Sequence, residues 1–242
     1  MGTGVAPGRR DAKEQGQMRR ERAVAEAVTR KLAEVIRLRD ESLADHLHRT
    51  AEVACAIGAQ LGAGMDTLDL LYTAGFLHDV GKLAISEAIL WKPSGLTRAE
   101  WRVVRAHPEE GHRLVGDIME REVASAVLNH HERMDGEGYP RGLDGRTLPT
   151  IARIVQVADA WDAMTNHRPY RSALPTPTAV EEVARCAGSQ FDPEVAAALA
   201  EIFDGQAERR PPRERRHYPA FLQAETDAET GPTLIRLRDR SA

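Results

Sequence analysis

Apolar residues recur at steps of three and four through almost every segment of this 242-residue chain, and that spacing confines it to packed helices. Val24, Ala27, Val28, Leu32, Val35 and Ile36 mark a first helix over about 17–38, whose other face alternates Arg and Glu as a solvated face does. Leu43, Leu47, Ala51, Val53, Ala54, Ile57 and Leu61 mark a second, started by Asp40 or Ser42 and stopped at Gly62-Ala63-Gly64. A third, about 66–77, is apolar on most sides and belongs in the core. Thr97 and Glu100 form a capping-box pattern ahead of a helix carrying Trp101, Val103, Val104 and His107. His112, Leu114 and Val115 begin another helical pattern that reaches Met119, and the run Val123–Leu128 leads a further helix into His130-His131. Residues 151–164 have the Ile and Val content of a strand, but their length, their alanines and the lack of bounding turns favour a buried helix. A last pair covers about 177–187 and 193–203, with Asp192 as cap and Pro193 at the first helical position. Only Thr233–Arg236 reads as a short strand, so the fold class is all-α.

Residues 1–16 are Gly-rich and polar and read as a disordered tail; 17–204 form one domain with its core at about 30–204; 205–242 are charged and read as a second tail. A hydrophobic content of 42% with 29% charged residues suits a packed core. The formal net charge of -4 provides no global basic field for nucleic acid, and the arginine runs lie near the two ends. No apolar run reaches the roughly 18 residues of a membrane helix, and the first residues lack a signal-peptide core. Cys55 and Cys186 have no neighbours at zinc-ligand spacing and read as buried, reduced thiols of a cytoplasmic protein. For the first helix, packing on its own domain is favoured over a dimerisation or signalling role.

The polar residues inside these apolar segments carry the chemistry. His130-His131 end an apolar run and precede a glycine-rich turn, Asp135-Gly-Glu-Gly-Tyr139-Pro140, and neutral imidazole is the commonest metal ligand. His78, Asp79 and Lys82 stand at the exit of a buried helix, where charge costs several kcal/mol unless it is paired or ligates a metal. A His-Asp pair closed by Lys82 would satisfy that demand; Asp79 bridging two ions explains more. His46 and Arg49 share one helix face, and so do Asp159 and Asp162. His46, His78, Asp79, His107, His130, His131 and Asp159 thus form a candidate ligand set from separate helices, in a chain with nine histidines. With no thiolate among them a structural zinc knuckle is disfavoured, and the set suits two ions of the zinc, iron or manganese kind. Two ions a few ångströms apart are a device for phosphate-ester hydrolysis. Arg168 and Arg171, in a polar loop after Met164, have the fork shape that suits phosphate oxygens, although solvation or pairing with acids explains such a pair when it is taken alone.

In order along the chain stand His46-x-x-Arg49, His78-Asp79-x-Gly81-Lys82, His107-Pro108-x-x-Gly111, His130-His131-Glu132-x-x-Asp135-Gly136-x-Gly138-Tyr139-Pro140, and Ala158-Asp159-x-x-Asp162-Ala163-Met164 followed by Arg168-Pro169-Tyr170-Arg171. This set resembles the HD-GYP domain of the HD hydrolase superfamily over about residues 30–204. The resemblance implies a helical bundle around a two-metal site and a bacterial phosphodiesterase acting on cyclic di-GMP. It assigns His46, His78, Asp79 and Asp159 to one ion, with Asp79 bridging to a second held by His107, His130 and His131. It makes Asp79 and Lys82 catalytic, gives Arg168 and Arg171 the substrate phosphates, and places Tyr139 at the guanine-nucleotide pocket. The ions it implies are iron or manganese. Some members bind a third ion through a glutamate four residues before the first histidine; here that residue is Ser42, and Glu41 is out of register. Two ions and linear pGpG as the main product follow. Leu43 stands where the family often has Thr. No receiver or sensor domain is recognisable, so the expectation is a stand-alone domain or one that takes its signal from a separate regulatory protein, with a homodimer as a further expectation. Two rival expectations remain: a phosphohydrolase of another cyclic nucleotide, and a non-catalytic module that binds nucleotide or partner.

Overall fold

The computed structural model describes residues 9–167 and 172–204, which hold ten α-helices and no strand beyond one isolated bridge between Ala187 and Phe191. Helix α1 (Arg9–Arg39) starts eight residues before the expected Gln17, so residues 9–16 lie in helix rather than in a tail. Arg, Asp, Ala, Lys, Glu and Gln sustain a helix there without the apolar spacing that marked the later part. Residues 1–8 and 205–242, including the expected strand at Thr233–Arg236, lie outside the described residues.

Helix α2 (Glu41–Gln60) is capped by Asp40, whose carboxylate accepts the Leu43 N–H at 2.9 Å. The chain turns through Gly62, at a φ of 80° that favours glycine, into α3 (Met65–Leu77). A five-residue 3-10 turn, Val80–Ala84, follows, then the short α4 (Glu87–Leu90). Helix α5 (Arg98–Arg105) begins in the expected capping box: Thr97 accepts from Glu100 N–H while the Glu100 carboxylate accepts from Thr97 N–H. Helix α6 (His107–Val115) differs from expectation, beginning at His107 instead of His112 and stopping before Met119. Pro108 sits in its first turn, where a missing N–H costs nothing, and Glu109 and Glu110 favour that helix end. Helices α7 (Arg121–Asn129) and α8 (Thr150–Thr165) complete the centre, with α9 (Thr176–Arg185) and α10 (Pro193–Asp204) closing one side. Asp192 accepts the Glu194 N–H at 2.8 Å and pairs with Arg153 of α8.

Helices α2, α3 and α8 pack on one another, and α7 lies against α3 and α8. Leu47, Ala51 and Ile57 meet Leu71, Phe76 and Leu77 in one core with Val123, Val127, Val155 and Ala158. Each of the Val, Leu, Ile and Phe side chains among them contributes about 1.5–3 kcal/mol on burial. His48 packs against this core from a partly buried position: its ring lies 4.8 Å from Phe76, its Nδ1 is 3.0 Å from the Tyr72 hydroxyl, and burial, with Arg37 nearby, lowers its pKa to about 4. No helix among the described residues is long and apolar enough to cross a membrane.

Cys55 is buried as expected, and burial pushes its thiol up to about 12; Cys186 is only partly covered, which corrects the expectation of two buried thiols. Cys186 stands at the C-terminal cap of α9 and is only partly covered. Iodoacetamide at pH 8 should therefore modify Cys186 in the native protein and leave Cys55 untouched until the chain unfolds. Equal labelling of both thiols, read by peptide mass, would contradict this packing.

Candidate metal centre

The candidate ligands converge from five helices and one turn at the middle of the bundle. Three of the imidazoles are aimed by the same local device. His78 Nδ1 bonds the Gly75 carbonyl at 2.7 Å, His107 Nδ1 the Val104 carbonyl at 2.7 Å, and His130 Nδ1 the Val127 carbonyl at 2.8 Å. Each stands just past a helical turn, so the carbonyl three residues back is within reach. A carbonyl only accepts, so the proton is on Nδ1 and the Nε2 lone pair faces inward. His46 reaches the same tautomer through Asp162, whose carboxylate lies 2.6 Å from its Nδ1 and is itself held by Arg49 Nε at 2.6 Å.

Asp79, almost fully buried, stands between two groups of these nitrogens. Its Oδ2 is 3.4 Å from His78 Nε2 and 3.7 Å from His46 Nε2. Its Oδ1 is 3.0 Å from His107 Nε2 and 3.8 Å from His130 Nε2. Asp159 joins the first group, its Oδ1 3.4 Å from His46 Nε2 and 3.8 Å from His78 Nε2. His131 joins the second. All seven candidates are therefore brought together, as two donor sets that share Asp79.

The donor chemistry fits cations. His78 Nε2 and Asp79 Oδ1 are buried with no hydrogen-bond partner among the described residues. His107 Nε2 and His130 Nε2 lie 3.1 Å apart with both protons on the far nitrogens, so two lone pairs face each other. That separation matches neighbouring ligands on one ion with bonds of about 2.1 Å. Burial drives the His130 imidazolium form down, with His131 adding to it, and burial holds His131 near 4, so both stay neutral and able to ligate. Burial opposes the Asp79 charge, but Lys82 and His78 outweigh it and hold its pKa well below the carboxylate range. His78 and His46 likewise lower the pKa of Asp159 against the effect of its burial. Burial likewise opposes charge on His46, yet Asp162 and Asp79 raise its pKa to about 9, so a metal ion would take the place of a proton on this ring.

Lys82 contacts Asp79 from the partly exposed side of the centre, and Tyr139 stacks on His131 with ring centroids 4.6 Å apart. Burial pushes the Tyr139 phenol up, so it stays protonated. Arg168 and Arg171 lie outside the described residues.

Sequence reasoning gave no role to several residues that shape this centre. Glu132, fully buried, accepts the Arg141 N–H at 2.7 Å and the Leu143 N–H at 2.9 Å, pinning the loop that carries Tyr139. Gln156 of α8 donates to the Glu132 carbonyl. The signal was a lone acid directly after two histidines. Gly138 permits the loop to fold back, since a Cβ there would meet Arg133 N at 2.5 Å and His131 O at 2.6 Å. Asp162 and Arg49 appeared in the motif spacing, but their action through His46 was not legible. Asp162→Asn should weaken the ion on the His46 side about 10- to 100-fold. An amide can donate to Nδ1 and so move the proton to Nε2, the nitrogen that must ligate. Metal titration checks this: equal weakening of both ions, or of neither, would contradict the role.

Residues 30–195 match the family described as the HD domain. The chain is 39% identical over 172 residues to the cyclic di-GMP phosphodiesterase response regulator RpfG of Xanthomonas campestris, covering 70% of this chain and 46% of that protein. It is 35% identical over 178 residues to the 3'3'-cGAMP-specific phosphodiesterase 3 of Vibrio cholerae, covering 73% of this chain and 39% of that protein. The chain thus spans less than half the length of these curated relatives. Among solved structures it is similar in fold to V-cGAP3 of Vibrio cholerae, with a TM-score of 0.57 at 16% identity over 89% of this chain and 54% of that one. Bd1817 of Bdellovibrio bacteriovorus gives 0.56 at 20% identity over 69% of this chain and 54% of that one.

Proposed function

The chain belongs to the HD domain family, and on that premise we propose that it is a metal-dependent phosphodiesterase that opens cyclic di-GMP, mainly to linear pGpG. One observation carries the reading: Asp79 is common to both donor sets, with Oδ2 toward His46 and His78 and Oδ1 toward His107 and His130. His46, His78, Asp79 and Asp159 would hold one divalent ion, and Asp79, His107, His130 and His131 a second, with iron or manganese suiting these nitrogen and oxygen donors. Such ions supply Lewis acidity toward a phosphate oxygen and toward water.

The side chains do the rest. In the hydrolysis, a water oxygen joins phosphorus, the bond from phosphorus to the ribose 3' oxygen breaks, and that oxygen takes a proton. Lys82, beside Asp79 and partly exposed, sits where an ammonium stabilises charge growing on the phosphate oxygens. Tyr139, stacked on His131 and held by the loop that Glu132 pins, would form part of the wall against which a base lies. Arg168 and Arg171 are assigned to phosphate by motif alone. Ser42 is exposed, and the carboxylate of Glu41 lies 3.6 Å from Arg37. Neither supports a third ion.

The similarity to a cGAMP-specific enzyme supports a second reading, in which a different cyclic dinucleotide is the preferred substrate. Anaerobic purification with metal analysis, followed by chromatography of products from cyclic di-GMP and 3'3'-cGAMP, separates the two. The expected result is two ions per chain and pGpG. Three ions with GMP would refute the Ser42 argument, and an intact cyclic di-GMP pool beside rapid cGAMP cleavage would select the second reading.

A further inference from the structure

At the rim of the centre, Arg105 ends α5, two residues before His107. Its guanidinium carbon lies 4.3 Å from the centroid of the Tyr139 ring. The placement is built. The capping box at Thr97 and Glu100, braced by Lys92 on Glu100 at 2.7 Å, fixes the start of α5. The bond from His107 Nδ1 to the Val104 carbonyl ties its end to the metal centre. Other arginines in the structure meet acids: Arg133 with Asp135, Arg146 with Asp144, Arg185 with Glu182. Arg105 has no ion pair or hydrogen bond among the described residues, so its N–H fork is unclaimed while its guanidinium lies over a ring that is itself stacked on a candidate ligand.

Resting on the phosphodiesterase reading, we infer that Arg105 is a specificity-determining residue that recognises the guanine held against Tyr139. A guanine there presents O6 and N7, two acceptors that match the guanidinium fork. An adenine presents N7 beside the N6 amino group, so one contact is lost and donor faces donor. Recognition at the base edge acts on binding, not on the reacting phosphate. Arg105 therefore selects guanine dinucleotides through KM.

The test is steady-state kinetics on the metal-loaded full chain with cyclic di-GMP and cyclic di-AMP, the latter as a competitive inhibitor if it turns over slowly. Arg105→Ala should raise KM for cyclic di-GMP about 10- to 100-fold with kcat changed far less, and leave the constant for cyclic di-AMP within about threefold. Arg105→Gln, whose amide matches adenine, should shift the preference toward cyclic di-AMP. Equal weakening for both dinucleotides would show a phosphate contact and overturn the inference, as would no change for either. If the wild type cleaves neither dinucleotide, the phosphodiesterase reading fails by itself. Equilibrium binding then decides: guanine preference lost in Arg105→Ala upholds the role, and its persistence or its absence in the wild type overturns it.

Discussion

Asp79→Ala is expected to lower phosphodiesterase turnover by at least about 1000-fold and metal content to less than one ion per chain. Asp79 is the single residue common to both donor sets. Among the described donors, the second set otherwise contains only the imidazoles of His107, His130 and His131, of which His130 and His131 are held neutral by burial. A divalent cation there would be buried without a compensating negative charge, which is the costly case. The first set keeps Asp159 and retains weak affinity. Lys82 loses its partner and stands as a bare ammonium at the rim, a further repulsion toward cations. Elemental analysis and product chromatography on the variant, with circular dichroism to verify the helices, check the outcome. A well-folded Asp79→Ala protein with two ions, or with turnover within tenfold of wild type, would remove the bridging role.

How far this centre could be read from sequence depends on the range of each interaction. Helix periods are local, so α2, α3, α5 and α8 were legible within a few residues, and the ligands stood out as polar residues in apolar segments. The start of α1 was missed because its first turns are helix formers without apolar spacing in the sequence. The start of α6 was missed because Pro108 reads as a break until it is placed in a first turn. Positioning residues were the least legible. Asp162 acts on His46 from 116 residues away, and Gln156 on Glu132 from 24. No spacing rule connects such pairs, and each residue alone reads as an ordinary polar position. Arg105 is harder still, since an exposed arginine in a basic helix end is usually solvated. Only its place over Tyr139 distinguishes it.

Gly81→Ala tests how the two donor sets are held in register, and its expected cost is at least about 3 kcal/mol of stability together with loss of the ion on the His107 side. Gly81 lies in the buried 3-10 turn that follows Asp79. A Cβ there would run into the His107 carbonyl oxygen and stand 2.5 Å from Gly111 N, both of them backbone atoms of α6. No rotamer change can relieve a clash with backbone, so α6 must move away from the turn. That motion carries His107 from Asp79, whose nitrogen and oxygen are 3.0 Å apart across the same contact. The His46 and His78 set lies on α2 and at the end of α3 and does not depend on α6, so one ion should survive where two were bound. Gly95→Ala is the control, since a Cβ there meets nothing within 4 Å and the change should stay within about 0.5 kcal/mol. Denaturant unfolding with metal titration separates the cases. If Gly81→Ala keeps both ions at wild-type affinity and unfolds at the wild-type midpoint, the backbone contact between this turn and α6 does not set the distance between the two halves of the centre.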